Sequence, residues 1–180
     1  MGKNVCVYCG ASEQLDEVYK NAAIELGRLI GKNSLGLVYG GGRLGLMGIV
    51  ASAVLENGGE VIGFTTEHLD EREGAHSGLT ELHIVDSMHT RKLKMSESGD
   101  VFVILPGGFG TLDELFEIIT WRQLNLHQKP IIILNINGYW DPLVSLIKQV
   151  IQHKFARPEH EKLITVLNTV DEVLEFIKDL

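Results

Sequence analysis

The sequence lacks an excess of basic residues and any long hydrophobic run. Its 180 residues include 16 Lys and Arg against 24 Asp and Glu, which gives a formal net charge of −8 at pH 7. Nucleic-acid polymers and anionic membranes favour a basic surface, so we expect neither as the main partner. No stretch reaches the roughly 18 consecutive apolar residues of a membrane span. Residues 1–4 lead straight into a strand pattern without the signature of a cleavable leader, so we expect a cytoplasmic protein.

Cysteine is also scarce, and its two copies do not match a metal or redox site. Cys6 and Cys9 form a C-x-x-C pattern, but both lie within one apolar run and no second cysteine pair is present. A redox dithiol is expected where a strand gives way to a helix N-terminus, so we interpret the two as reduced structural thiols. Three histidines lack the spacing of metal ligands to one another or to carboxylates: His127, His153 and His160. We therefore expect neither a metal nor another cofactor.

What the sequence does contain is a regular alternation of apolar runs and helical patterns. With 44% hydrophobic residues, the chain can bury a sizeable core, and its length fits one nucleotide-binding α/β domain, 1–180. The alternation predicts a Rossmann-like, doubly wound α/β fold, with a mostly parallel sheet and helices on both faces. The predicted strands are 4–9, 35–39, 60–64, 82–85, 101–105, 130–135 and 164–167. The predicted helices are 15–31, 44–57, 88–97, 111–126, 140–154 and 170–179, and the polar stretch 65–81 is predicted to be a loop over the ligand site.

A glycine-rich turn joins the fifth predicted strand to a helix, and we call residues 107–111 the cradle. Gly107, Gly108 and Gly110 are interpreted as positions of positive φ that bring backbone amides close to a ligand. Thr111 occupies the position of a helix N-cap, and Glu114 three residues on completes a capping box. The free N–H groups and the dipole of a helix N-terminus favour a phosphate. The simpler alternative is an ordinary connection between strand and helix.

A second glycine turn follows the second predicted strand. It contains Gly40-x-Gly42-x-x-Gly45, which matches the dinucleotide fingerprint in a strand–turn–helix context. In NAD-binding proteins an acidic residue about 20 positions on holds a ribose, and Glu67 could serve. The fingerprint falls on the second strand rather than the first, however. We therefore favour the interpretation that both glycine turns bind one compact nucleotide, with close packing of helix on sheet as the alternative role of Gly45 and Gly48.

Two cations lie near the start of the helix predicted from residue 88. Arg91 and Lys92 lie in its first turn, where a positive charge opposes the helix macrodipole. Departures from such local rules concentrate at functional sites. An arginine suits a phosphate or an acidic partner because its planar guanidinium can bind two oxygens at once. The alternative is that both side chains point into solvent.

Three motifs, in this order and spacing, resemble the LONELY GUY family, often labelled lysine-decarboxylase-like. They are Tyr39-Gly-Gly-Gly-x-x-Gly-Leu-Met-Gly48, Met88-His-x-Arg-Lys92 and Pro106-Gly-Gly-x-Gly-Thr-x-x-Glu114. The resemblance covers nearly the whole chain. It implies a cofactor-free phosphoribohydrolase that cleaves the N-glycosidic bond of AMP, or of N6-modified (cytokinin) adenosine 5′-monophosphates, to free base and ribose 5-phosphate. It also implies a homodimer or an assembly of dimers.

The same resemblance implies roles for individual residues. Arg91 and Glu114 are the implied catalytic pair, since a carboxylate near the anomeric carbon stabilises positive charge on the sugar and the arginine holds it in register. The implied substrate contacts are Gly41, Gly42, Glu73, Met88, Lys92, Gly107, Gly108, Phe109, Gly110, Thr111, Leu112, Asp113 and Thr120. The competing hypothesis is a non-catalytic nucleotide-binding carrier or sensor, which needs the glycine turns but not the charged pair.

Overall fold

A parallel sheet of seven strands organises the molecule. The computed structural model describes residues 2–180, and Met1, the first residue of the predicted domain, lies outside them. The strands are β1 (Asn4–Tyr8), β2 (Gly36–Tyr39), β3 (Glu60–Thr66), β4 (Glu81–Val85), β5 (Val101–Ile104), β6 (Ile131–Leu134) and β7 (Thr165–Leu167). Their spatial order is β4-β3-β2-β1-β5-β6-β7, and every neighbouring pair is parallel. The predicted Rossmann-like, doubly wound fold is therefore confirmed.

Helices cover both faces of this sheet. They are α1 (Glu17–Lys32), α2 (Gly45–Glu56), α3 (Glu67–Glu73), α4 (Met88–Ser98), α5 (Phe109–Gln123), α6 (Asp141–Gln152) and α7 (Val170–Lys178). Side chains alternate between the two faces of a strand. Val5 and Val7 of β1 accordingly pack with α1, α2 and α7, whereas Cys6 and Tyr8 pack with α4, α5 and α6. Within residues 2–180, no helix is both long enough and apolar enough to cross a membrane.

The two cysteines belong to this packing. Cys6 and Cys9 are both free and buried. Burial raises the pKa of each thiol far above its ordinary value, and this disfavours the reactive thiolate. The structure thus agrees with the interpretation of both as structural thiols.

The strand order of the sheet changes direction between β1 and β5. β1 pairs with β2 on one side and with β5 on the other. The chain after β1 continues outward through β2, β3 and β4, whereas the chain after β5 continues in the opposite direction through β6 and β7. Ligands of open α/β sheets bind at such a switch point, at the carboxyl ends of the strands. The turns after β1 and β5 touch there, because the Gly10 N–H donates to the Pro106 carbonyl at 3.0 Å.

The prediction of a loop over 65–81 is wrong for residues 65–73 and 81, whereas residues 74–80 lie outside the helices and strands. Strand β3 continues to Thr66, and α3 occupies the next seven residues. The Thr66 hydroxyl caps this helix by accepting from the Leu69 N–H at 3.4 Å, and Gly74 ends it with a φ of +72°. No residue of α3 is buried, so the helix lacks the apolar periodicity by which helices are recognised.

Candidate active site

Arg91 of α4 points into the protein. Its Nε donates to the Phe64 carbonyl at 2.8 Å, near the end of β3. Its Nη2 donates to the Gly40 carbonyl at 3.2 Å, directly after β2, and its Nη1 donates to Glu114 Oε1 at 3.1 Å, in α5. The guanidinium therefore joins three segments that are far apart in the sequence. The alternative of an arginine directed into solvent is wrong.

Glu114 completes a nearly buried ion pair, with its side chain 12% exposed. Burial raises the pKa of this carboxyl group to about 7 and outweighs the opposing effects of the Arg91 charge and hydrogen bond. The neighbouring Asp113 adds a smaller upward effect. Perturbed pKa values of this kind concentrate at functional sites. Near neutral pH the group can hold either a charge or a proton, which suits acid–base or electrostatic catalysis.

The predicted N-cap of α5 is wrong, because the helix begins before Thr111. The cap position is Gly108, whose extended backbone carries no side-chain cap, and the first helical residue is Phe109. Thr111 lies inside the first turn and is buried. The Glu114 carboxylate bonds to Arg91, so the two residues do not form a capping box. The first N–H groups of α5 consequently remain free for an anion.

The predicted positive φ at Gly107, Gly108 and Gly110 is also wrong, since none of the three is in the left-handed region. Space explains these glycines instead. A Cβ on Gly107 would overlap the hydroxyl of Thr111 and lie 2.6 Å from its Cβ. At Gly108 and Gly110 a Cβ would meet nothing within 4 Å. The missing side chains therefore leave open volume over the N-terminus of α5, where a ligand can approach the backbone.

The glycine turn after β2 wraps around the arginine. A Cβ on Gly40 would overlap the guanidinium of Arg91, so only glycine permits this approach. Gly41 has a φ of +76°, and its neighbour Gly42 accepts a hydrogen bond from the Tyr39 hydroxyl at 3.2 Å. The turn thus shapes the floor beside the ion pair, and Gly40, which belongs to the predicted fingerprint but not to the implied substrate contacts, lies against Arg91.

Gly45 and Gly48 have a packing role, but they pack against neighbouring turns rather than against the sheet. Gly45 adopts a φ of +56°, and a Cβ there would lie 2.5 Å from the backbone of Ala11. A Cβ on Gly48 would overlap the carbonyl of Arg43. Both glycines let α2 begin close to the neighbouring turns.

Glu73 reaches the site through α3, the helix that was not predicted. The chain after this helix crosses the glycine turn, where the His76 N–H donates to the Gly41 carbonyl at 3.0 Å. Glu73 is half-buried, and its Oε2 lies 3.9 Å from the position that a Cβ on Gly42 would take. A second carboxylate therefore lies beside the turn.

Lys92 joins α4 to α5 next to the ion pair. Its Nζ lies 2.9 Å from Asp113 Oδ2 and 3.2 Å from Glu117 Oε1. Burial lowers the pKa of Lys92, but the hydrogen bonds to the two carboxylates outweigh this effect and raise it. Lys92 thus stays charged and does not extend freely into solvent. Asp113 and Glu117 are four residues apart on one helix face, a spacing from which Glu117 could have been recognised.

The remaining predicted contacts lie away from the ion pair. Thr120 lies about 9 Å further along α5 than the glutamate, at the helical rise per residue. It shares a shallow recess on the outer face of α5 with Leu112 and Asp113. Met88 lines a different recess beside the start of α3. Phe109 is 92% exposed and contributes an apolar surface at the rim of the cradle.

Known proteins resemble this chain over nearly its whole length. The profile of a family described as possible lysine decarboxylase matches residues 47–177. A cytokinin riboside 5′-monophosphate phosphoribohydrolase of Rhodococcoides fascians is 44% identical over 177 residues, which cover 98% of this chain and 89% of that protein. The phosphoribohydrolase LOG3 of Arabidopsis thaliana is 39% identical, with 98% and 82% covered. A probable phosphoribohydrolase of Oryza sativa subsp. japonica, LOGL2, is 42% identical, with 98% and 72% covered.

Solved structures share the architecture at lower sequence identity. The molybdenum cofactor binding protein from Rippkaea orientalis has a TM-score of 0.76 and 20% identity, covering 99% of this chain and 97% of that chain. The molybdenum cofactor carrier protein from Chlamydomonas reinhardtii has a TM-score of 0.73 and 18% identity, covering 99% and 98%. At this level of identity the likeness supports the fold alone.

Proposed function

The chain belongs to the LONELY GUY family, also described as possible lysine decarboxylases, and we propose that it is a cytokinin riboside 5′-monophosphate phosphoribohydrolase. It hydrolyses the N-glycosidic bond of N6-modified adenosine 5′-monophosphates, and of AMP, to free base and ribose 5-phosphate. The names of its relatives support the reaction. The observation that carries the proposal is the nearly buried Arg91–Glu114 ion pair between two glycine turns.

In this proposal the cradle binds the 5′-phosphate. The first turn of α5 has N–H groups without helical partners, and its dipole favours an anion. Open space at Gly108 and Gly110 lets phosphate oxygens approach these groups. Binding energy from the phosphate, which does not react, then places the ribose against the ion pair.

Glu114 and Arg91 are assigned to the chemistry at the ribose. Positive charge develops on the sugar ring as the bond to the base breaks, as in glycoside hydrolysis. The ionised Glu114 stabilises this charge and orients the water that attacks the anomeric carbon. Of the five N–H groups of an arginine, three donate to the protein in Arg91, and the other two remain for substrate. They can assist the departing base electrostatically.

A decarboxylase reaction through a lysine Schiff base fits the site poorly. A lysine that forms a Schiff base needs a lowered pKa, so that its amine is uncharged. Lys92 is the lysine next to the ion pair, and its two carboxylate partners raise its pKa. The hydrolase is therefore favoured over the decarboxylase named in the family's description.

Turnover of defined substrates tests the function. The protein is incubated with N6-isopentenyl-AMP, with AMP and with both nucleosides, and the free base is measured by liquid chromatography. We expect base release from the two monophosphates and hardly any from the nucleosides. Equal rates on AMP and adenosine would refute the role of the phosphate. Tight AMP binding without any base release would favour the carrier or sensor hypothesis.

We also propose that the protein works in the cytoplasm as a homodimer or an assembly of dimers, with a nucleotide rather than a nucleic-acid polymer or a membrane as its ligand. Apolar side chains exposed along the outer face of α5 and just beyond it support a contact with a second copy; they are Phe109, Phe116, Leu124 and Leu126. Light scattering should give at least twice the 19.9 kDa mass of one chain. The mass of one chain at micromolar concentration would refute the assembly, and Leu124→Glu is expected to weaken it.

A further inference from the structure

One hydroxyl group holds the cradle from outside α5. The Tyr139 hydroxyl donates to the Gly107 carbonyl at 2.7 Å. Tyr139 follows β6, whereas Gly107 follows β5, so the bond crosses between two strand ends that lie side by side in the sheet. Neither the motifs nor the proposed chemistry assigns a role to this tyrosine.

The turn that carries the tyrosine is firmly held. Asn137 and Gly138 both have positive φ, 52° and 69°, which for asparagine is a conformation that needs support from its surroundings. The buried side chain of Asn135 supplies that support. Its Oδ1 accepts from the Trp140 N–H at 2.7 Å, and its Nδ2 donates to Asp141 Oδ1 at 2.8 Å. The tyrosine that follows Gly138 is thus delivered to a defined place.

Neighbouring rings hold the tyrosine side chain as well. The Tyr139 ring packs edge-on against Tyr19 of α1, with centroids 5.7 Å apart, and against Trp140, with centroids 4.7 Å apart. These contacts use the ring and leave the hydroxyl to Gly107. Removing the hydroxyl alone therefore keeps the packing, which makes the hydrogen bond separately testable.

The bond to Gly107 determines the direction of the next amide. Peptide groups are planar, and those of the described residues are all trans, so the Gly107 carbonyl and the Gly108 N–H point in opposite directions. The Gly108 N–H has no hydrogen-bond acceptor within residues 2–180. The strand order places Tyr139 on the β6 side of the cradle and the Gly40 turn on the other. The Gly108 N–H therefore points away from the tyrosine, across the cradle.

This peptide group needs an external anchor because it joins two glycines. Rotating its plane changes ψ of Gly107 and φ of Gly108, and neither residue has a Cβ that restricts these angles. A rotated peptide would present a carbonyl oxygen, rather than an N–H group, to an anion. The hydrogen bond to the carbonyl opposes this rotation and also polarises the peptide, which strengthens its N–H as a donor.

We propose that Tyr139 is a positioning residue for the substrate. The Tyr139 hydroxyl holds the Gly107–Gly108 peptide so that the Gly108 N–H binds the 5′-phosphate. The identity of the anion rests on the proposed function, whereas the orientation of the peptide rests on the geometry of the fold. Tyr139 touches neither the ribose nor the base, and it acts through the backbone of the cradle.

Tyr139→Phe removes the hydroxyl and keeps the ring contacts. We expect the Kd for ribose 5-phosphate, measured by calorimetry, and the KM for AMP to rise about five- to tenfold, the loss typical of one hydrogen bond. The kcat should change less than twofold, and binding of adenosine and the melting temperature should stay close to those of the parent. The amide resonance of Gly108 should shift on adding ribose 5-phosphate to the parent and shift much less in the variant. Tyr19, whose ring packs against Tyr139, provides the control. Its hydroxyl makes no hydrogen bond within the described chain, so Tyr19→Phe should bind as the parent does.

Two outcomes would overturn the inference. One is an unchanged Kd for ribose 5-phosphate in Tyr139→Phe. The other is an equal loss of affinity for AMP and adenosine, which would show a general structural defect. A parent protein that hydrolyses no nucleotide, combined with weaker ribose 5-phosphate binding in the variant, would sink the proposed function and leave the role of Tyr139 standing.

Discussion

Replacing Glu114 with glutamine removes the negative charge of the buried pair and keeps the shape of the side chain. The amide oxygen of glutamine can still accept from Arg91 Nη1, which lies 3.1 Å from the carboxylate oxygen, and the other bonds of Arg91 go to backbone carbonyls. A neutral amide neither stabilises a positively charged ribose nor takes a proton from water. We therefore expect turnover of AMP to fall about a hundredfold or more, which corresponds to roughly 2.7 kcal/mol of transition-state stabilisation.

The same substitution should not weaken the fold at alkaline pH. The pKa of Glu114 is about 7 in the folded chain against an ordinary value of 4.5, so the unfolded chain loses this proton at lower pH. The stability contributed by the group is therefore fully present below pH 4.5 and is lost as the pH rises to about 7, in total about 3 kcal/mol. Loss of the partner charge of Arg91 acts in the opposite direction. Because the pKa is raised, burial outweighs that attraction, and Glu114→Gln should be the more stable protein at pH 8.

Thermal melts at pH 5 and pH 8, together with chromatographic assays of AMP hydrolysis, measure both effects on the same samples. We expect the variant to melt up to roughly 10 °C above the parent at pH 8, with a smaller difference at pH 5. Glu97→Gln is the control, since it removes an exposed carboxylate of α4 whose partner is Lys94, 3.0 Å away, and should leave turnover unchanged. Near-parent turnover in Glu114→Gln would refute the catalytic role, and a lower melting temperature at pH 8 would refute the reasoning from burial.

Three further results are expected from the same site and core. The kcat/KM for AMP should fall as the pH decreases below about 7, because Glu114 takes up a proton, and a flat profile between pH 6 and 8 would contradict an ionised catalytic form. Gly107→Ala forces a Cβ against Thr111 and should lower the free energy of unfolding by about 1–3 kcal/mol. Gly108 has open space around it and a φ of −97°, so Gly108→Ala should mainly raise the KM for AMP. Iodoacetamide at pH 8 should label the two buried cysteines only after unfolding, because burial raises their pKa; labelling of the folded protein at the rate of a free thiol would show otherwise.

Periodicity along the chain determined the fold class and the approximate place of every strand. A buried parallel strand is a continuous apolar run, as in β5 and β6, and this signal needs no knowledge of distant residues. Helix α3 was not predicted, because it buries no residue and so has no apolar periodicity. Only Thr66 and Gly74 at its two ends carried a local sign of a helix.

Motifs in the sequence also selected Arg91 and Glu114, and the family resemblance implied that they act as a pair, but only the tertiary structure gives their contact and its burial. Their contact links residues 23 positions apart, and the pKa of the carboxyl group depends on burial that no local pattern specifies. At the cradle, helix α5 does not begin where the capping pattern of Thr111 and Glu114 predicts. Thr111 packs against Gly107 inside the first turn of α5, and the cap position falls on Gly108, which has no side chain to accept from the first N–H groups. Short-range patterns encode the preferences of neighbouring residues, whereas space, burial and charge pairing depend on segments that meet only in the folded chain.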